Sequence, residues 1–479
     1  MSIRLLEARL RGALIEARIP FRFGIAEMRE IVHVVLFATV DIDGKREIGM
    51  AADNLPPKWF TKNPETSYRD EVDEMIDVIE SACEIATQSG ARDSVFDLWH
   101  QVYGEHVLRS DSGITPLLAS FGVSVVERAI IDAFCRARNI PFAEAVRLNE
   151  LGIRLGSLHP ELTDREPREF LPRKPIECMS IRHTVGLSDS LSPGDDAGVV
   201  APDDLPSTLE AWIRRCGLRR FKVKVSGNHR IDLDRLERIQ EVLDSGTRGD
   251  YRVTLDGNEQ FADVSALRAF WEDVIPRRAT SGLGQRIDYV EQPLPRDLTL
   301  TADTSAGLAV WPGRPRLIID ESDDSLDAVA RAIGAGYDGG AFKSSKGIFK
   351  GIGNACRIEQ LRREDPSRRL IYSAEDSSTI GPVGLLADLA VIATLGIDEP
   401  ERNGYHYLRG LSRLPRVERE TVRHHGDLFS LHADGCAALK IEEGKINVRS
   451  VVAAPFGVGL RCDFEEQLDR VDSLVASIA

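Results

Sequence analysis

Between residues 220 and 343 the chain repeats one short phrase, a few apolar residues closed by charged or amide side chains. It runs Phe221-Lys222-Val223-Lys224, Leu255-Asp256-Gly257-Asn258, Val290-Glu291-Gln292-Pro293, Ile319-Asp320-Glu321-Ser322 and Phe342-Lys343. Short β-rich runs spaced roughly 25 to 40 residues apart, with amphipathic stretches between them, mark successive β-α units of a parallel sheet. Working outward, the runs are Glu177 to Val185, Arg220 to Val225, Tyr251 to Asp256, Ile287 to Gln292, Arg316 to Asp320, Gly340 to Lys343, Arg369 to Ser373 and the stretch around Ile397. Eight of them in about 240 residues fit a (β/α) barrel better than a doubly wound sheet, whose first strand is followed by a phosphate-binding glycine turn. No GxGxxG follows any of these runs.

The flanks read differently. The first 60 residues carry strand composition, with an apolar, β-branched run from Ile31 to Ile42 and a hairpin turn at Asp43-Gly44. Residues 66–90 and 114–150 have apolar positions at helical spacing, among them the stripe Val126, Ala129, Ile130, Ala133 and Phe134. Residues 156–175 are rich in proline and charge, as linkers are. After residue 416 short strands resume, at Leu439 to Glu443 and Lys445 to Val448. The expected organisation is an α/β chain. It has an N-terminal α+β capping domain (1–155), a linker (156–175), a barrel domain (176–415) and a C-terminal segment (416–479) that returns to the cap. Loops 192–206 and 274–286, rich in Pro, Gly, Asp and Arg, read as insertions on the barrel.

With 479 residues and 42% hydrophobic content, the chain can build two packed cores. A net charge of −15 argues against nucleic acid as the main partner, since phosphate binding needs a concentrated positive patch. The 7 cysteines form no CxxC pair, and neither a basic-then-apolar leader nor a long apolar run occurs. A soluble cytoplasmic protein with free thiols, and no membrane partner, is the expectation. Lysine is scarce: 11 of the 61 basic residues, leaving 61 − 11 = 50 arginines. Only Lys222 and Lys224 occur from residue 175 to 342, after which Lys343, Lys346 and Lys350 cluster. A buried ammonium can lose its proton where a guanidinium cannot, so these positions point to titration.

In barrels the polar residues that do chemistry stand at the C-terminal ends of the strands. One carboxylate at the tip of each of three successive strands, Asp256, Glu291 and Asp320, makes a set of hard oxygen ligands suited to Mg²⁺ and also to Mn²⁺. Taken singly, each would only cap a helix or face solvent; in register after apolar strands they point to a metal. Lys222 and Lys224, two apart on one strand, face the same side, where each lowers the other's pKa and leaves Lys224 able to act as a base. Two lysines could instead form a solvated edge, which eight repeats argue against. Lys343 faces the same space from the opposite wall.

These motifs together resemble the enolase superfamily, and within it the muconate-lactonizing-enzyme-like subgroup. The resemblance extends from Pro20-Phe21 and Gly24 through the KxK strand and the Asp-Glu-Asp series to Pro455-Phe456-Gly457-Val458-Gly459-Leu460. It implies a modified TIM-type (β/α)7β barrel, Asp256, Glu291 and Asp320 as metal ligands, and Asn258, Glu321 and Glu375 as supporting residues. It further implies that Lys224 and Lys343 are acid/bases on two faces of the substrate, with Lys222 the pKa-lowering neighbour and a contact for the substrate carboxylate. The shared step of the family is abstraction of a proton α to a carboxylate, giving an enediolate.

The chain also departs from the family. Ser344-Ser345-Lys346-Gly347 follows Lys343 where relatives often have a glycine pair, and no Asp-x-Asp of the dipeptide-epimerase kind follows Ile397. A His-Asp dyad of the mandelate-racemase kind is missing too, and His183 reads as a core or supporting residue. Trp59 and Phe60 either cover a substrate or staple cap to barrel. The expectation is a magnesium-dependent isomerase or lyase acting on a small carboxylate by racemisation or epimerisation, cycloisomerisation or elimination, with assembly into a homo-oligomer. The alternatives are a Schiff-base lysine barrel and a metal-binding barrel without turnover.

Overall fold

The computed structural model describes residues 1–108, 113–195, 205–274, 281–409, 414–432, 435–459 and 464–478. The β-branched N-terminal segment forms three antiparallel strands, Ile3–Phe23, Ala26–Ile42 and Lys45–Leu55. Asp43 and Gly44 join the last two with φ of 52° and 84°, the positive pair that a tight hairpin of right-handed twist requires. Three helices follow: Tyr68–Gln88, Val95–His106 and Pro116–Arg138. The third starts at the N-cap Thr115 with proline in its first turn and stops at Asn139 in the left-handed region, both ordinary helix punctuation. It lies so close on the sheet that a Cβ at Gly49 would stand 2.0 Å from the Ala129 carbonyl oxygen. The helix Val95–His106 was not among the sequence expectations; it is capped by Ser94, whose hydroxyl accepts from the Asp97 backbone N–H.

The repeated runs form parallel strands. In spatial order they are Glu401–Arg402, Arg182–Val185, Arg220–Lys224, Arg252–Asp256, Ile287–Glu291 and Leu317–Ile318. A parallel bridge between Ile319 and Gly340 carries the series on to Gly339–Phe342, which pairs with Ile371–Ala374. The two ends of the series meet where the Asp376 backbone N–H donates to Glu401 Oε2 at 3.0 Å. Alternation places Phe221 and Val223 against the surrounding helices and Lys222 and Lys224 on the other face.

Three strand expectations shift. The eighth strand is Glu401–Arg402 and not the stretch around Ile397, whose N–H instead closes the end of the helix Val383–Leu395 on the Ile392 carbonyl. The first run divides: Cys178–Ser180 pairs antiparallel with Lys445–Asn447, and only Arg182–Val185 enters the parallel sheet. The strand expected at Leu439 to Glu443 is Ala437–Leu439, paired with Phe429–Leu431. Further on, Asp469–Arg470 pairs with Arg11 and Gly12 on the edge of the first sheet. Residues 196–204 of one expected insertion, 275–280 of the other, and Leu460 of the closing motif lie outside the described residues. Among the described residues no helix is long and apolar enough to cross a membrane, and six cysteines are free.

Candidate active site

Strand register brings the expected residues together. Lys224 stands beside Asp256 and Asp256 beside Glu291, with Asp320 two residues beyond the paired Ile318. All are buried, at 7%, 1%, 0% and 0% exposure, so each charge must find a partner within the protein. Lys224 Nζ lies 2.6 Å from Asp256 Oδ2, and Lys343 Nζ lies 2.7 Å from Asp320 Oδ2. Lys222 Nζ touches four carboxylates: Asp256 at 2.9 Å, Glu291 at 3.0 Å, Glu375 at 2.6 Å and Glu401 at 3.0 Å.

That environment corrects one electrostatic expectation. Lys222 and Lys224 share a face, but burial, which disfavours the ammonium at Lys222, is more than reversed by the four carboxylates. Its pKa stands well above the ordinary lysine value. Lys343 is likewise raised, with burial opposing and Asp320 prevailing. Burial together with Asp256 and Glu375 pushes Glu291 well above the carboxylate range, and burial with Asp320 brings Glu321 up to about 7.

Asn258 supports two of the acids: its N–H donates to Asp256 Oδ1 at 2.9 Å and its Nδ2 to Glu321 Oε1 at 2.9 Å. Glu375 joins Lys222 to Arg182, whose Nη2 donates to Glu375 Oε1 at 2.5 Å. Three participants were not legible in the motifs. Glu401, on a strand of two residues, accepts from Lys222 and from Thr184. Gln292 Oε1 accepts from the N–H groups of Asp320 and Ser322 and so shapes the turn that carries Asp320. Lys346 grips Asp320 Oδ1 at 3.0 Å and Asp323 at 3.2 Å. The first signal for it was its place in the lysine cluster. His183 sits in a buried aromatic group with Trp212, Tyr405 and His406, a core residue as expected.

Among the described residues no three His, Cys, Asp or Glu side chains are already gathered as a metal cage, because Asp256 and Asp320 are drawn to the neighbouring ammonium groups. The donor chemistry nevertheless fits a hard divalent cation. Glu291 Oε2, Asn258 Oδ1 and Glu321 Oε2 are buried oxygens with no hydrogen-bond partner, and oxygen is the only donor type in the set.

A cavity of about 30 Å³ opens onto these groups. Phe21, Phe23, Met28, Pro56 and Trp59 wall one side; Lys222, Lys224, Asn258, Lys343, Glu401 and Asn403 are among the residues of the other. Lys343 Nζ lies 4.2 Å from the centre of the Trp59 ring and Lys224 Nζ 5.8 Å from that of Phe23. The two aromatics expected to cover a substrate or to staple cap to barrel differ in their surroundings. Trp59 faces the cavity, and Phe60 packs on Phe121 at 4.6 Å while Arg296 donates to the carbonyls of both.

No protein-family model and no curated protein matches the sequence. Solved structures do match over nearly their whole length. A muconate lactonizing enzyme from Pseudomonas fluorescens, complexed with muconolactone, is 17% identical over 97% of this chain and 98% of its own, with a TM-score of 0.57. An enolase from Pseudomonas fluorescens Pf0-1 with bound magnesium, potassium and tartrate is 14% identical over 100% and 94%, at 0.60. A dipeptide epimerase from Methylococcus capsulatus, complexed with Mg and the dipeptide L-Arg-D-Lys, is 17% identical over 92% and 99%, at 0.54. The resemblance first carried by the KxK strand and the Asp-Glu-Asp series thus extends to the three-dimensional arrangement, and the chain has the fold of the mandelate racemase and muconate lactonizing enzymes of the enolase superfamily.

Proposed function

We propose that the chain is a magnesium-dependent isomerase or lyase that removes the proton α to the carboxylate of a small substrate. The eight parallel strands would form its (β/α)7β barrel and the first sheet with its helices the cap. The observation that carries this is the position of Lys224 and Lys343. Their ammonium groups line one small cavity, each beside a carboxylate at the tip of a different strand.

Asp256, Glu291 and Asp320 would hold the cation, with Asn258 and Glu321 beside them. Bound there, it would supply positive charge against the negative charge that develops on the substrate carboxylate. Lys222, held charged, would bind that carboxylate. With Asp256 and Asp320 turned to the cation instead of to the lysines, one of Lys224 and Lys343, as the free amine, would take the α-proton on Nζ; the C–H bond breaks and its electron pair passes into the enediolate. The other, as the ammonium, can return a proton to the second face. Phe21, Phe23 and Trp59 keep water from the site.

The test is α-proton exchange in D₂O followed by NMR over a panel of amino-acid derivatives and other carboxylic acids, with Mg²⁺ and after metal removal. Deuterium entering an α-carbon only when metal is present is the expected result. Exchange unaffected by metal removal would overturn the metal-assisted chemistry, and no exchange across the panel would favour a barrel without turnover. Magnesium should also raise the melting temperature of the wild type, and Asp256→Asn should abolish most of that rise.

A further inference from the structure

Two lysines hold Asp320, one at each of its oxygens. Lys343 Nζ lies 2.7 Å from Asp320 Oδ2 and Lys346 Nζ 3.0 Å from Oδ1. Both side chains reach the carboxylate from one tight turn, closed where the Lys346 N–H donates to the Lys343 carbonyl at 3.0 Å. Their surroundings differ. Lys343 lines the small cavity, with the Trp59 ring 4.2 Å away. Lys346 is not among the lining residues and is 3% exposed.

The Lys346 ammonium is held from several sides. Besides Asp320 Oδ1 it donates to the Asp320 carbonyl at 3.2 Å and to the Ala341 carbonyl, and Asp323 Oδ2 lies 3.2 Å from it. Ala341 belongs to the strand Gly339–Phe342, which neighbours the segment carrying Asp320, so one group ties that carboxylate to the next strand. Asp323 is held in turn by Lys350, 2.9 Å from its Oδ1, and by its own N–H on the Asp320 carbonyl at 3.1 Å. Lys350, Asp323, Lys346 and Asp320 thus make a row of alternating charge, each member 3% exposed or less. Moving one member would leave its neighbour a buried charge without a partner, so the row resists rearrangement.

We propose that Lys346 is a positioning residue for the cation site: it keeps Asp320 Oδ1 in place, so that Oδ2 can exchange Lys343 for the cation without the carboxylate turning away. This rests on the reading of Asp320 as a ligand. It also separates two lysines that stand three apart in the chain. Lys343 can let go of Asp320 and act on a substrate because Lys346 does not let go. A role for Lys346 through its charge alone predicts the opposite sign, since a buried ammonium repels a nearby divalent cation and its removal would tighten binding.

Isothermal titration of the full chain with Mg²⁺ tells the two apart. Lys346→Met, close to lysine in length but without charge or donors, is expected to bind Mg²⁺ about 10- to 100-fold more weakly than wild type, although a repelling charge has gone. In the Asp320→Asn background the same substitution should change the affinity by less than about twofold, because Lys346 acts through Asp320. Circular dichroism should stay as in wild type; if Lys346→Met does not fold, Lys346→Gln, which keeps an amide donor, takes its place with the same expected sign. Unchanged or tighter Mg²⁺ binding in the folded Lys346 variant, or an equal loss with and without Asp320, would overturn the proposal. Wild-type affinity in Asp320→Asn alone, or no Mg²⁺ binding by the wild type, would instead overturn the reading of Asp320 as a ligand, and the proposal with it.

Discussion

Lys224 and Lys343 line the same cavity of about 30 Å³, and each has a carboxylate within 2.7 Å. If they pass the proton in turn, Lys224→Ala and Lys343→Ala should each slow exchange by about 10²- to 10⁴-fold. Circular dichroism should stay as in wild type; wild-type exchange in either variant would refute the two-base scheme. A different residue sets a pH dependence of stability. Glu127, 1% exposed, accepts from the N–H groups of Ile348 at 2.9 Å and Phe349 at 2.7 Å, and burial outweighs these bonds to bring its pKa up to about 7 from 4.5. Between those values the folded state keeps a proton that the unfolded chain has released. Its contribution is therefore complete below about pH 4.5 and is lost as pH rises through 7. Urea titrations at pH 5 and pH 8 should show wild type losing on the order of 3 kcal/mol more than Glu127→Gln over that interval. Parallel losses would mean that Glu127 does not carry the effect.

Elements were legible in the sequence where an apolar pattern marked them, which left out the helix Val95–His106. The helix Pro116–Arg138 announced itself by a long apolar stripe, and the strands around Lys222, Asp256 and Glu291 by apolar runs with polar ends. Glu401–Arg402 has two residues, too few for any alternation, so its place was misread and Glu401 went unnoticed beside Lys222. Gln292 escaped for another reason: its role lies in backbone N–H groups on the next strand, which no side-chain pattern records. The Asp-Glu-Asp series was found because each member follows an apolar run, but no spacing shows the four carboxylates around Lys222. What spacing cannot show is close approach. A Cβ on Gly122, within Pro116–Arg138, would stand 2.2 Å from the Val78 carbonyl oxygen. Gly122→Ala must part the two helices and should cost about 1–3 kcal/mol in chemical denaturation; an unchanged midpoint would show that the helices yield freely.

Across the whole molecule, the wall that carries Trp59 is tied to the opposite side through Arg296 and Lys62 among others. Arg296 donates to the Trp59 carbonyl at 2.9 Å and the Phe60 carbonyl at 2.7 Å while paired with Glu259, and Lys62 reaches the same glutamate at 2.8 Å. Arg296→Ala should raise amide hydrogen exchange in residues 56–62 by about tenfold, read by mass spectrometry, with the strands Arg220–Lys224 and Arg252–Asp256 still protected. Equal protection in variant and wild type would place the anchor elsewhere. The first sheet poses a problem of order in time. Its outer strand, Asp469–Arg470, pairs with Arg11 and Gly12 but is made by the ribosome hundreds of residues after them. Until then the edge of the strand Ile3–Phe23 at Arg11 and Gly12 waits for its partner. The charged residues along the strand, Glu7, Arg9 and Arg11, stand where they can discourage pairing with a neighbouring nascent chain until the last part of the protein arrives.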